Sequence, residues 1–483
     1  MTPSDRLHAV RDQPPDAEAE YVLYWMRATR RTDHNYALDR AIHWAKELGK
    51  PLVVLEALRS DYRWASDRHH AFVIDGMRDN QRAFERTPIR YHAYVEPAHG
   101  RGRGLLAALA RGAAVVVTDD NPSFHFPHML AAAAQQLQVR LEAIDSNGLM
   151  PLRAAGKSFL GAYHFRRFLQ KRLPRHLGAF PRRDPLRGLA LPQLAALPAA
   201  ITKKWPATDL ERSNTQLVAK LPIDHEVGIV ELQGGARAAA ACVKRIDFDR
   251  YDDARNQPDE GGTGLSPYLH FGHVSPHALL ETIAARYDWS PADLSEQTSG
   301  AREGWWNLPA GAESFLDELV TWRELGFVDA AWRDDVERYD ALPAWALRTL
   351  AAHSADARPE LYGRAELEEA RTYDELWNAA QRQLLREGKI HNYLRMLWGK
   401  KVLQWSASPQ EAADVLIELN NRWALDGRDP NSYSGIYWCF GRYDRPWGPE
   451  RAIFGTVRYM SSESTRRKLR VKGYLARYAE EVA

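Results

Sequence analysis

Cysteine is nearly absent: Cys242 and Cys439 are the only two in 483 residues. Two thiols make neither a disulfide framework nor a CxxC metal site, so a reducing compartment is expected. Glycine fingerprints are missing too. The first strand-like run continues as "YVLYWMRATRRTDHNYAL" with no GxGxxG, and GxxxxGK[ST] occurs nowhere. Neither a dinucleotide Rossmann site nor a P-loop is therefore expected. Long apolar runs are lacking: "LLAALARGAAVVV" is interrupted by Arg111 and Gly112 and is too short to cross a bilayer. The opening "MTPSDRLHAVRDQPPDAEAE" has no apolar core of a secretory signal. A soluble, cytoplasmic protein is expected. The formal net charge is only +2, so any nucleic-acid affinity must come from a local patch. The pairs His69–His70 and His125/His128 find no third or fourth ligand at zinc spacing, so no metal is expected.

Tryptophan is abundant, with sixteen residues, roughly twice ordinary usage. Most belong in a core, but a concentration in one region needs a further reason. From Tyr21 to about Pro151, short apolar runs ("YVLYWM", "PLVVLEAL", "IRYHAYV", "AAVVVTDD", "VRLEAID") alternate with four helical stretches. That pattern predicts a five-stranded, doubly wound parallel α/β domain over 21–151, preceded by a disordered tail over 1–20. Residues 152–225 read as an interdomain linker. Six prolines lie between 174 and 206, and the accompanying Leu and Ala suggest a segment wrapped on the surface. From 226 to 483 the periodicity becomes helical throughout, predicting an all-α domain.

Within that half, "GKIHNYLRMLWGKKVLQW" places Asn392, Arg395 and Met396 on one side of a helical wheel. Leu394, Trp398, Lys401 and Trp405 fall on the other. Helix packing alone would explain the tryptophan stripe, but an inward amide and guanidinium need partners. The segment "LNNRWALDGRDPNSYSGIYWCFGRYDRPWG" supplies Asp426 and Asp429 beside Trp438, and an Arg395–Asp426 pair is expected. Upstream, "YDDARNQPDEGGTGLSPYLHFGH" joins Tyr251 to a glycine-rich loop, residues 261–264, whose backbone N–H groups suit a phosphate.

These motifs, together with "FLDELVTWRE", "YDELWNAAQRQLLREGKIHNYLRM" and "IFGTVRYM", resemble in order those of the class II cyclobutane pyrimidine dimer photolyases, over about residues 21–459. The resemblance implies a non-covalent, reduced FAD in the helical domain and light-driven electron transfer to a flipped-out dimer in damaged DNA. Tyr251, Gly264, Leu265 and Ser266 would hold the FAD phosphates, and Asn392, Arg395, Asp426 and Asp429 would surround the rest of the cofactor. Asn420 would face the flavin N5. Glu318 would bind the dimer's carbonyl edge, with Trp322, Trp438 and Met396 walling the lesion. Trp377, Trp398 and Trp405 would carry electrons to the flavin. The family also implies a possible deazaflavin-type antenna in the N-terminal domain. Residues 325–335 and 460–483 differ from the family's usual pattern.

Between Arg442 and Lys472 stand nine basic and three acidic residues, a local excess of +6. Arg442, Arg445, Arg458, Arg466 and Arg467 are the expected DNA contacts. A protein that acts as a monomer, without an obligate protein partner, is expected. Three alternatives are weighed: a cryptochrome-like photoreceptor, a (6-4) photoproduct photolyase using His391, and a nucleotide enzyme acting through the α/β half. The proposed lesion walls, the wheel position of His391 and the missing phosphate loop count against them in turn.

Overall fold

The structure is a computed structural model describing residues 2–260 and 262–480; Gly261, expected in the phosphate loop, lies outside the described residues. The chain divides into two units. The first comprises Met1–Gly156, Leu173–Lys244 and Leu265–Pro291; the second comprises Lys157–Arg172, Arg245–Gly264 and Ala292–Ala483.

The first unit is built on a sheet of six strands: β1 Leu7–Arg11, β2 Tyr21–Met26, β3 Leu52–Leu58, β4 Arg90–Val95, β5 Ala113–Asp119 and β6 Arg140–Ile144. Their order is β1-β6-β5-β2-β3-β4. Helices α1 Tyr36–Glu47, α2 Asp67–Phe84, α3 Leu105–Ala110 and α4 Phe126–Gln136 connect β2 through β6. Every residue of β2 and β5 is buried, as expected for central parallel strands covered on both faces. β2 neighbours both β3 and β5, so the order reverses there and opens a crevice beyond their carboxyl ends.

Two expectations need correction. The segment expected to be a disordered tail contains β1, which pairs antiparallel with β6. The sheet is therefore six-stranded and mixed. Leu7–Arg11 is too short and polar to announce a strand; the free edge of β6 supplies its ladder, and buried Arg6 pins it by donating to Gly148 O at 3.0 Å and Leu149 O at 2.6 Å. The boundary at 226 also fails: helices Ala236–Val243 and Pro276–Tyr287 belong to the first unit. Likewise the expected linker is split. Residues 173–225 lie in the first unit, burying Leu197, Ile201 and Trp205 in its core, while 157–172 belong to the second.

The second unit is helical, and eleven of the sixteen tryptophans lie in it, the concentration the sequence left to be explained. Its core surrounds the buried helix Asn392–Trp405, packed with Glu375–Glu387, Pro409–Trp423 and Pro430–Trp438. Among the described residues no helix is long and apolar enough to cross a membrane, and no group of three or more His, Cys, Asp or Glu could hold a metal.

Candidate functional site

The 392–405 helix has two chemically distinct faces, as its wheel predicts. On one, Arg395 forms a two-pronged contact with Asp426, Nη2 lying 3.0 and 3.2 Å from the carboxylate oxygens. Its Nη1 reaches Asn420 Oδ1 at 3.4 Å. Asn420 is buried and donates to Asn421 Oδ1 and Ser432 Oγ, and Ser432 Oγ donates to the Asp426 carbonyl at 2.8 Å. Asp429 caps helix Pro430–Trp438 by accepting from Asn431 N at 2.9 Å. The turn between Asp426 and Asp429 holds Arg428 at a φ of 66°, and Asn421 supports it by accepting from Arg428 N at 2.8 Å. Asn392 is exposed at the first helical position, one turn before Arg395 and Met396.

The other face carries the aromatic stripe. Trp398 and Trp377 stack with centroids 6.5 Å apart and planes 7° apart, and Trp377 meets Trp405 edge-on at 5.5 Å. Trp377 is thus the middle ring. Hydrogen bonds fix two of the three: Trp377 Nε1 donates to Trp398 O at 3.0 Å, and Trp398 Nε1 to Gln381 Oε1 at 2.9 Å. Beyond Trp405 lie Tyr362 at 5.3 Å and Tyr373 at 5.7 Å, and Tyr373 is 61% exposed.

Glu318 and Trp322 lie in a π-helical turn, Asp317–Trp322, between two α-helical stretches. Such wide turns recur at functional positions. The following helix, Arg323–Trp332, approaches Pro430–Trp438 closely at Gly326, where a Cβ would come 2.8 Å from Ser434 Oγ. Trp322 and Trp438 are therefore carried by directly packed helices, and both are half-buried. Met396 lies by the same helix, 3.9 Å from where a Cβ of Gly435 would stand. Glu318 pairs with Arg255, a residue inside the Tyr251 motif that the sequence reading passed over. Burial raises the Glu318 pKa above the usual carboxylate value even though Arg255 opposes it. Tyr251 sits in this group, edge-on to Phe315 at 5.4 Å, its phenol pKa raised by burial and by Glu318.

The phosphate-loop residues divide. Gly264, with a φ of 70°, closes a segment of the second unit, whereas buried Leu265 and exposed Ser266 belong to the first.

The basic stretch does not form one patch. Arg445 lies over Trp447 at 4.5 Å, and Arg458 stands 5.0 Å from Trp447 and 5.7 Å from Trp438. Arg466 pairs with Glu375 and Arg467 with Glu463, on a helix anchored to Asp374 near the outer tryptophan. Arg442 contradicts its expected DNA contact. It is buried, donates to Val336 O at 2.7 Å and lies on the Tyr437 ring; charge counting along the sequence cannot tell a surface arginine from one bracing a loop.

Sequence reasoning also missed Lys400. It is fully buried, donates to Cys439 O at 2.6 Å and stands 5.7 Å from the Trp438 ring. A second candidate site lies in the first unit at the crevice. There Tyr62 and Trp64, beyond β3, group with Phe124 and His125, beyond β5, at centroid separations of 5.5 to 6.1 Å.

No model of a known protein family matches the chain. It is 34% identical over 482 residues to the deoxyribodipyrimidine photo-lyase of Methanothermobacter thermautotrophicus, covering 99% of this chain and 98% of that protein. It is 30% identical over 466 residues to the enzyme of that name from Potorous tridactylus, covering 94% and 80%. The figures for the Oryza sativa protein of the same name are 30% over 484 residues, 96% and 88%. In fold it resembles a bacterial class III photolyase from Agrobacterium tumefaciens, with a TM-score of 0.65 and 17% identity over 95% of this chain and 86% of that one.

Proposed function

The chain belongs to the deoxyribodipyrimidine photolyase family, and from that premise we propose that it is a class II member repairing cyclobutane pyrimidine dimers in DNA under light. The observation that carries this reading is the two-faced 392–405 helix, with Arg395, Asp426 and Asn420 on one side and the Trp398–Trp377–Trp405 series on the other.

The donor set fits a flavin. Arg395 and Asp426 offer a charge-balanced pair, Asn420 keeps acceptor capacity on an oxygen that, among the described residues, only Arg395 approaches, and Asn392 offers an exposed amide. A bound FAD supplies light absorption and the electron for the lesion. The protein orients it through Asn392, Arg395, Asn420, Asp426, Asp429 and Tyr251. Glu318, whose acid form burial favours against the pull of Arg255, is set to hydrogen-bond the pyrimidine carbonyl edge. Trp322 and Trp438 provide flat walls for a dimer that has left the base stack, and Met396 packs beside them. The series Trp405–Trp377–Trp398, which reaches the exposed Tyr373 beyond buried Trp405, would carry electrons toward a bound flavin. Arg445 and Arg458 contact phosphates near the lesion. The aromatic group of Tyr62, Trp64, Phe124 and His125 supports a planar antenna chromophore of deazaflavin type in the first unit.

The (6-4) alternative needs a protonated histidine, but burial lowers the His391 pKa to about 4, leaving it neutral at physiological pH. The deciding experiment is illumination of reduced, FAD-loaded protein with dimer-containing DNA. Restored thymines are expected. Loaded protein that leaves the dimers intact overturns the proposal.

A further inference from the structure

The segment Lys157–Arg172 carries five Lys or Arg and no acid. Its helix α5, Ala162–Arg172, has an inner face fixed within the second unit. Phe165 and Leu169 are buried, Arg166 binds Asp317 at 2.8 and 3.0 Å, and Gln170 bonds Gly300 N and Ala301 O. Arg166 thus braces the residue next to Glu318. The outer face is different. Tyr163, Arg167 and Lys171 recur four residues apart and are exposed, and Lys157 and Leu160 extend the row ahead of the helix. Leu160 is 85% and Tyr163 53% exposed. Among the described residues, Lys157, Arg167 and Lys171 have no carboxylate within ion-pair distance, unlike Arg166 on the inner face.

The row is also fixed in place. The Phe159 amide donates to Asp329 Oδ1 at 3.2 Å, and Asp329 Oδ2 accepts from Tyr443 Oη at 2.5 Å. A Cβ on Gly161 would stand 3.4 Å from Tyr443 O. Helix α5 also holds Asp317, the residue before Glu318, through Arg166, so the row is tied to the turn that carries part of the proposed lesion site.

We propose that α5 and the loop before it form a second DNA contact, in which Lys157, Arg167 and Lys171 hold phosphates flanking the dimer while Leu160 and Tyr163 lie against the opened helix. The inference rests on the reading of the protein as a dimer-repair enzyme. Three exposed cations with no carboxylate within ion-pair distance among the described residues favour a polyanion. Exposed apolar side chains among them suit a duplex whose stacking has been interrupted, which presents bare base faces. A uniformly solvated helix face would not need Leu160 and Tyr163.

The test compares intact FAD-loaded protein with Arg167→Ala/Lys171→Ala, measuring affinity for dimer-containing duplex across a salt series and repair yield at saturating DNA. Losing two phosphate contacts should lower the log–log salt slope by about 1.8 and weaken binding at 0.1 M salt by roughly tenfold or more. Repair yield at saturation should be unchanged. Arg167→Lys/Lys171→Arg should restore the slope, which a folding defect would not allow. Leu160→Ser should weaken binding of dimer duplex more than of undamaged duplex. An unchanged slope and affinity in the double alanine variant overturn the inference. Should wild-type protein bind DNA but repair nothing, the functional reading falls, and the salt slope on undamaged duplex still decides whether α5 contacts phosphate.

Discussion

Lys400 provides the sharpest physical test of the helical unit. Its ammonium is fully buried; it donates to Cys439 O and faces the Trp438 ring, Arg458 and Asp444. Burial, the dominant cause, lowers its pKa from 10.5 to about 8, and Arg458 adds to the effect, whereas Cys439 and Asp444 oppose it. The unfolded chain therefore keeps a proton that the folded chain has released between pH 8 and 10.5, so stability should rise with pH across that window. The full difference is worth roughly 3 kcal/mol, of which about 2 to 3 kcal/mol should be regained between pH 7 and 10. Lys400→Met has similar length and no charge. It loses one charge-assisted hydrogen bond, but that loss is independent of pH below 8. Denaturant unfolding of both proteins, followed by tryptophan fluorescence, reports mainly on the second unit, which holds eleven of the sixteen tryptophans. The wild-type protein should gain about 2 to 3 kcal/mol on the variant between pH 7 and 10. A difference that stays flat over that interval would mean the ammonium is hydrated or paired in solution, and would refute the argument.

Two further outcomes follow from the site. Glu318→Gln should keep a donor and most of the repair yield, whereas Glu318→Ala should lose more than tenfold, since removing one donor from a developing charge costs roughly 100- to 1,000-fold in rate. Because the Glu318 pKa is raised, wild-type yield should fall as pH climbs through it while Glu318→Gln stays flat; a pH profile shared by both would remove the assigned role. Trp377→Phe removes the middle ring between Trp398 and Trp405 and should abolish photoreduction of oxidised flavin, while pre-reduced protein still repairs; transient absorption and single-turnover repair separate the two, and loss of both would make Trp377 a packing residue.

What could be read from the chain follows from how local the governing physics is. The central strands were legible because parallel strands covered on both sides need unbroken apolar runs, as in "YVLYWM" and "AAVVVTD". β1 was not, because its five residues depend on an edge supplied by β6, more than 120 residues away. The two faces of the 392–405 helix followed from its periodicity, and the Arg395–Asp426 pair from the need to neutralise an inward guanidinium. Periodicity on one helix could not reveal that Trp377, from another helix, would sit between Trp398 and Trp405, since ring order is set by packing across helices. Nor could a count of basic residues separate buried Arg442 from exposed Arg445, or find α5 inside a proline-marked linker.

The close approach of two helices explains why cofactor-facing and electron-carrying residues share one element. A Cβ at Gly399 would come 2.6 Å from Cys439 Sγ, so the middle of the 392–405 helix lies hard against the end of the helix that carries Trp438. That contact, the Lys400–Cys439 bond and the Trp377–Trp398 bond hold the helix at three consecutive residues of one turn, on different sides. Arg395 and Trp398 are three residues apart, about 4.5 Å along the axis, and are separated laterally by no more than the roughly 10 Å width of a helix. A rigid helix therefore fixes the distance between the polar face and the first ring of the stripe, which a loop of the same length would leave variable. Placing both functions on one clamped helix ties the position of the proposed electron path to that of the cofactor pocket, so motion elsewhere in the unit changes neither independently.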